Sequence, residues 1–269
     1  MNTYCIIFAG RKDRMELTMN YINEALNEGI FDEVHLWDYT RSLDDEAWVR
    51  SLAADKIKIF DVKVKKDNWR EVWGHYDSDI HKDDIFFKID DDMVHINLCS
   101  LRVLKNIVAM NGDKFHMAVP VILNSMTDKV NLEVPHRTSI PALSATGIDY
   151  ASTGWGVCHG KEAEMLQYYF LTADTKFKIR RPDAPIRWRQ SLHTHIAAFR
   201  GSRFGPIQKY IPNIDWHDEN VNTTILTKDN NIDNIIIPEF GGCHLSFGSQ
   251  DPWMNIKHLL DLYRVKYTS

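Results

Sequence analysis

The run Phe86-Phe87-Lys88-Ile89-Asp90-Asp91-Asp92-Met93-Val94 sets an apolar segment directly against three consecutive carboxylates. Ile85 to Ile89 has the length and the aromatic and β-branched character of a buried strand. Adjacent carboxylates repel one another, and at the end of a buried strand they are costly unless a cation or hydrogen-bond donors face them. In an open α/β sheet, ligands bind at the carboxyl ends of the strands. Alternate side chains of an extended chain share a side. Asp90 and Asp92 are therefore expected to point together at one hard divalent ion or at a sugar hydroxyl. A solvated acidic turn is the plain alternative for a bare Asp-Asp-Asp, and the apolar run in front of it favours a site.

Outward from this stretch, the first half alternates strand and helix signals. Thr3 to Phe8 reads as a buried strand, followed by the turn Ala9-Gly10-Arg11. Met15, Met19, Ile22, Leu26 and Ile30 recur at helical spacing and predict an amphipathic helix over 12–29. Strands are expected at Glu33 to Trp37, Lys56 to Val64 and Phe115 to Leu123. Helices are expected at Asp44 to Leu52, from the Asp67-Asn68 cap to Tyr76, and from the Asn97 cap to the Asn111-Gly112 stop. Such β-α alternation predicts a mostly parallel sheet with helices on both faces.

The second half is less regular. Residues 125–150 read as a long loop, followed by a strand near Tyr150 to Cys158 and a helix from Lys161 to Leu171. A helix is expected near Arg189 to Arg200. Ile235 to Pro238 and Cys243 to Phe247 read as strands separated by a Gly241-Gly242 turn. Asp251-Pro252 reads as the N-terminus of a last helix.

Composition bounds what such a chain can be. Its 269 residues carry 32 Lys and Arg against 37 Asp and Glu, a net charge of −5. A chain of this length buries roughly 70–75% of its unfolded surface, so it needs neither disulfides nor metal to fold. Disorder, collagen and coiled coil are excluded, and the mild acidity argues against a globally basic nucleic-acid binder. No stretch approaches the roughly 18–20 apolar residues of a membrane span, and the N-terminus lacks a signal-peptide pattern. The cysteines 5, 99, 158 and 243 form no C-x-x-C pair. Cys5 and Cys243 lie in apolar strand-like segments, so buried free thiols and a soluble, cytoplasmic setting are expected.

With its strand order and an acidic motif near residue 90, the sequence resembles the metal-dependent glycosyltransferases of the GT-A fold. The resemblance is best over residues 1–125. It implies one α/β, Rossmann-like domain over 1–269, with a nucleotide-sugar-binding half (1–125) and an irregular acceptor-binding half (126–269). It implies that Asp90 and Asp92 are the D-x-D carboxylates, with Asp91 between them at the nucleotide-sugar. A Mn²⁺ or Mg²⁺ held there would bridge the donor diphosphate and neutralise charge on the departing nucleotide, with a UDP-sugar the favoured donor. By the same resemblance Ala9, Gly10 and Arg11, or Arg14, would meet the nucleotide phosphates, and Asp38 the base. His244, in Gly241-Gly242-Cys243-His244, would complete the metal site.

Inverting enzymes of this kind need a carboxylate to take the acceptor proton, and Asp218 or Glu219 in Trp216-His217-Asp218-Glu219 is the best match. A structural N-cap role for Asp218 competes with that reading. Gly154-Trp155-Gly156 resembles the acceptor wall, where a tryptophan stacks on a sugar ring. From Lys176 to Lys209, nine Lys or Arg stand against Asp183 alone. That basic segment suits diphosphate, an anionic glycan or nucleic acid, so a glycan or a hydroxyl on modified DNA is an acceptor to consider. Two alternatives remain. The acidic motif also fits the start of a haloacid-dehalogenase-type phosphatase, which places it after its first strand. A non-catalytic sugar- or nucleotide-binding module is the other.

Overall fold

In a computed structural model, described for residues 1–62, 69–76, 79–125, 132–133, 160–172, 178–179, 185–189, 192–208 and 218–268, a mixed sheet is covered by helices on both faces. Along the chain run β1 (Thr3–Ala9), α1 (Lys12–Asn27), β2 (Glu33–Asp38), α2 (Leu43–Ser51), β3 (Ile57–Asp61), α3 (Trp69–His75) and β4 (Ile85–Ile89). Then come β5 (Met93–Ile96), α4 (Leu98–Asn111), β6 (Ala118–Leu123), β7 (Leu132–Glu133), α5 (Gly160–Thr172), β8 (Lys178–Ile179) and β9 (Ile186–Trp188). The last elements are β10 (Ile196–Arg200), α6 (Phe204–Gln208), the helical stretch α7, β11 (Asn234–His244) and α8 (Ile256–Thr268). In α7, Asp218–Asn220 leads through a π turn at Val221–Ile225 into Leu226–Asp229.

The strand order is β3-β2-β1-β4-β10-β6-β11-β5, with β9 also on β11. The first four strands are parallel, as the β-α alternation predicts. Strand β10, from the second half of the chain, enters antiparallel between β4 and β6. Strand β11 runs parallel to β6 and antiparallel to β5. Side-chain alternation then builds two cores. Cys5, Ile7, Ile85, Phe87 and Ile89 pack under α1, α2 and α4, while Ile6, Phe86 and Phe199 pack under α3, α6 and α7. Burying both Phe86 and Phe87 completely, one on each face, contributes about 1.5–3 kcal/mol apiece.

Several local expectations hold. Asn97 caps α4, its side chain accepting from the Cys99 amide at 3.1 Å. Cys5 and Cys243 are buried free thiols. Others need correction. The segment expected as a helix over Arg189 to Arg200 contains strand β10, because Ile196-Ala197-Ala198-Phe199 fills a fully buried slot between two strands. That apolar run suits either element, and tertiary context selects the strand. Gly241-Gly242 is not a turn but lies within β11, near its carboxyl end. A Cβ on Gly242 would stand 2.0 Å from the His95 carbonyl oxygen, so the glycines permit close backbone approach to β5. Asp251-Pro252 opens a short 3₁₀ turn, and α8 begins at Ile256. Strand β5, directly after the acidic motif, was not foreseen. The expected strand near Tyr150 to Cys158 lies outside the described residues.

Candidate functional site

Parallel strands β1 and β4 bring the β1–α1 turn beside the acidic motif, and β11 ends at His244 on the same edge. These elements frame a cavity of about 390 Å³, lined by Phe8, Arg11, Lys88, Asp90, Asp91, Asp92, His195, Asp218, Glu219, His244, Ser246, Phe247 and Gly248. Asp90 and Asp92 share the cavity, but not through strand alternation. The chain leaves β4 after Ile89 and turns at Asp91-Asp92 into β5, which aims each carboxylate separately.

Asp91 faces back into the β1–α1 turn. Its Oδ2 accepts from the Gly10 amide at 2.9 Å and the Arg11 amide at 3.0 Å, and its Oδ1 from the Arg11 guanidinium at 2.7 Å. Both oxygens are thus engaged by the protein. A Cβ on Gly10 would sit 3.0 Å from Asp91 Oδ2, so glycine lets the loop close over this carboxylate. Ala9 is fully buried at the end of β1.

Asp92 accepts from Arg11 at 2.7 Å, and its Oδ2 lies 3.3 Å from His244 Nε2. Burial opposes its charge, but His244 and Arg11 more than offset this and hold its carboxyl far below the usual range. The same contact raises the His244 imidazole despite its burial. Asp90 meets Lys88 Nζ at 2.5 Å and accepts from His195 Nδ1 at 2.7 Å.

Asp218 and Glu219, partly buried at the start of α7, line the same cavity. Burial pushes both carboxyls above their ordinary range, and Lys88 counteracts part of that rise. Glu219 Oε1 accepts from the Thr194 amide at 2.9 Å. The π turn fixes the start of α7: Asn222 donates to the Asp218 carbonyl at 2.9 Å, and Thr223 to the Glu219 carbonyl at 2.7 Å.

Two expected residues are placed elsewhere. Arg14 is 5% exposed and stands behind the cavity wall, donating to Ser246 at 2.9 Å and Asp251 at 2.6 Å, with its Nη1 3.8 Å from Asp92 Oδ2. It does not line the cavity. Asp38 is fully buried at the end of β2, accepting from Thr40 at 2.6 Å and Arg50 at 3.3 Å, and likewise lies off the cavity wall. Gly154, Trp155 and Gly156 lie outside the described residues.

Sequence reasoning missed Lys88 and His195 as members of the site. Lys88 stands two residues before Asp90, so alternation along β4 already placed it on the same side. Its ammonium is buried, donates to the Thr194 carbonyl at 3.2 Å, and is stabilised by Asp90, Asp218 and Glu219 against its burial. His195 was hidden by the helical reading of its segment.

A divalent cation is implied by the motif. Among the described residues no three His, Cys, Asp or Glu side chains are gathered as a ready-made ion site, and the Arg11 guanidinium supplies the positive charge against Asp91 and Asp92. The donor chemistry nevertheless fits. Carboxylate and imidazole together suit Mn²⁺, and His195 Nε2 is buried with no hydrogen-bond partner among the described residues.

The described arginines of the basic segment do not line this cavity. Of its nine Lys and Arg, the side chains of Arg187, Arg189, Arg200 and Arg203 fall within the described residues. Arg200 pairs in register with Ile85, at the far end of β4 from Asp90. It donates to the Val108 and Ala109 carbonyls, and Arg203 to the Gly112 carbonyl, satisfying the C-terminal carbonyls of α4. Arg187 and Arg189 pair with Asp233 just before β11 begins.

No protein-family model matches the sequence, and comparison with curated proteins finds no match. Among the described residues no helix is long and apolar enough to cross a membrane. Solved structures do share the architecture. The chain is similar to 4-diphosphocytidyl-2C-methyl-D-erythritol synthase from Anaerococcus prevotii, at 12% identity and a TM-score of 0.51, over 98% of this chain and 96% of that one. Similar too are the inositol-1-phosphate CTP transferase from T. maritima (11%, 0.49, 98% and 96%) and a 2-C-methyl-D-erythritol 4-phosphate cytidylyltransferase from Francisella tularensis (12%, 0.46, 100% and 100%). The first of these likenesses is one of fold: an α/β, Rossmann-like sheet flanked by helices, as the sequence predicts.

Proposed function

We propose that the protein is a metal-dependent glycosyltransferase that moves a sugar from a nucleotide-sugar to an acceptor hydroxyl with inversion. The observation that carries this reading is the gathering of two carboxylate sets in one cavity: Asp90 and Asp92 with His244, and Asp218 with Glu219. Asp90, Asp92 and His244 are the residues proposed to hold Mn²⁺ or Mg²⁺, which when bound neutralises charge on the departing diphosphate. Arg11 is positioned to exchange its carboxylate partners for a phosphate. Asp218 takes the proton from the acceptor hydroxyl. Burial raises its carboxyl above the ordinary range, which makes it a stronger base, and Glu219 beside it is raised in the same way. The acceptor half, including Gly154-Trp155-Gly156, would hold a glycan or another hydroxyl compound. A cytoplasmic setting accords with the free Cys5 and Cys243 thiols.

Nucleotidyl transfer, the activity named for the similar folds, is the second reading. It uses the same sheet for a nucleoside triphosphate and leaves the buried Asp218–Glu219 pair without a task. The phosphatase alternative loses support because the acidic motif follows the fourth strand, and a binding module has no need of two carboxylate sets in one cavity. A thermal-shift screen separates these readings. UDP-, GDP- or CMP-sugars stabilise a glycosyltransferase only with Mn²⁺. Stabilisation by CTP or another triphosphate, with pyrophosphate release and no response to nucleotide-sugars, would overturn the proposal.

A further inference from the structure

Asp218 and Glu219 stand in the first turn of a helix that widens at once into a π turn, and that turn is held by side chains outside the cavity. A π turn passes backbone bonds from i+4 to i+5, so carbonyls at its entry need other donors. Side chains four residues on supply them: Asn222 Nδ2 donates to the Asp218 carbonyl at 2.9 Å, and Thr223 Oγ1 to the Glu219 carbonyl at 2.7 Å. Both side chains are buried, and neither lines the cavity.

Each is held in turn by the sheet. With Asn222 Nδ2 committed to Asp218, its Oδ1 faces His116 Nε2 at 3.2 Å, so the imidazole carries its proton on Nε2 and donates. His116 is fully buried two residues ahead of β6, and its backbone amide donates to the Asp233 carbonyl at 2.8 Å. Burial pushes its imidazole down to about 4, so the ring is neutral near pH 7 and holds that single proton. Asn234, at the start of β11, serves Thr223 likewise. Its Nδ2 donates to the Thr223 carbonyl at 3.3 Å, and its Oδ1 accepts from the Met117 amide at 3.2 Å. Buried polar groups are costly unless bonded. These four spend their bonds joining the β6–β11 pair to the backbone of two cavity carboxylates.

We propose that His116 and Asn222 are positioning residues for Asp218: a relay from β6 through His116 Nε2 and Asn222 to the Asp218 carbonyl sets where that carboxylate stands in the cavity. The effect on turnover rests on the reading of Asp218 as the base, whereas the seat of the carboxylate can be measured without it. A reacting group misplaced by about 1 Å loses on the order of 10²-fold in rate.

The test compares Asn222→Leu and His116→Phe, which break the relay, with His116→Gln, which keeps a donor in it. In the full chain labelled with ¹³C at aspartate carboxyls, NMR titration follows Asp218, identified by the resonance lost in Asp218→Asn. Its carboxyl is raised by burial, with Lys88, Asp90 and Glu219 as its charged neighbours. It should fall back toward the ordinary aspartate range in the two broken variants and stay raised in His116→Gln. For Mn²⁺-dependent diphosphate release from UDP- and GDP-sugars, kcat should fall about 10²-fold in the broken variants with KM unchanged, and recover in His116→Gln. In an Asp218→Asn background, Asn222→Leu should lower kcat no further, because a residue acting through Asp218 has nothing left to position. An Asp218 titration unchanged by both broken variants overturns the relay. A displaced titration with unchanged kcat upholds the relay and overturns Asp218 as the base. Wild type that releases no diphosphate overturns the functional reading, and the titration then decides the relay. Should Asn222→Leu fail to fold, His116→Phe against His116→Gln decides.

Discussion

At the carboxyl end of β1, β4 and β11, three aspartates, two histidines, Arg11 and Lys88 crowd one cavity, and one buried ring nitrogen has no partner among the described residues. At the opposite end, Arg200 and Arg203 cap α4, and Arg187 and Arg189 hold Asp233. The first set is charged beyond what folding requires and is costly to assemble. The second is absorbed by loose ends of the fold: helix carbonyls and one carboxylate. Charge density in sequence does not distinguish the two. What differs is the kind of partner: helix-end carbonyls and one carboxylate at the second end, other charged groups packed in one cleft at the first, and charged groups gathered in a cleft mark a candidate ligand site.

Substitutions at the two ends should therefore diverge. The largest effect is expected from Asp92→Ala, which should abolish Mn²⁺-dependent nucleotide-sugar binding in calorimetry while the circular dichroism spectrum persists and the melting midpoint falls, since Arg11 and His244 lose a buried partner. Asp218→Asn should lower kcat by about 10²–10⁴-fold with donor affinity unchanged, as loss of a general base does. Its pH signature follows from burial. Activity should rise with pH through a carboxyl pKa displaced above the ordinary aspartate range, and that limb should vanish in Asp218→Asn. The sign for stability is opposite. Folding raises this pKa, so stability falls as pH climbs from the unfolded-state value through the raised one, and is level above it.

Away from the cavity, Phe87→Ala should cost about 3–5 kcal/mol in denaturant unfolding, since a fully buried ring leaves a cavity between β4 and α1. Arg200→Ala should cost about 1–2 kcal/mol by uncapping α4, with kcat and KM untouched. Arg187→Ala, 80% exposed, should stay within about 0.5 kcal/mol. Loss of activity in either arginine variant would erase the distinction between the two ends.

Much of the sheet was legible because strands β1 to β4 and their helices carry clean periodicity. Asp90, Asp92 and His244 were legible because an acidic run after a buried strand and a histidine after paired glycines are both unusual. Strand β10 was not, since Ile196-Ala197-Ala198-Phe199 suits helix and strand alike and only its neighbours β4 and β6 select one. His195 was lost with it. The true role of Asp91 was hidden as well: one carboxylate among three looks the same in sequence whether it faces a ligand or the amides of Gly10 and Arg11. Asp38 sits next to the site along the chain, yet its partners are Thr40 and Arg50, and Arg14 reaches Asp92 only from behind the wall, through a bridge to Ser246 and Asp251 that no local pattern reveals.

The central claim is that the acidic end of the sheet uses a divalent ion to release a nucleotide from a donor sugar. Purified wild type and Asp92→Ala should be incubated with UDP- and GDP-sugars, with and without Mn²⁺, and free nucleoside diphosphate measured. The account predicts Mn²⁺-dependent diphosphate release by wild type, accelerated by a hydroxyl acceptor, and none by the variant. Release that is equal in the two proteins, or that ignores Mn²⁺, would contradict it.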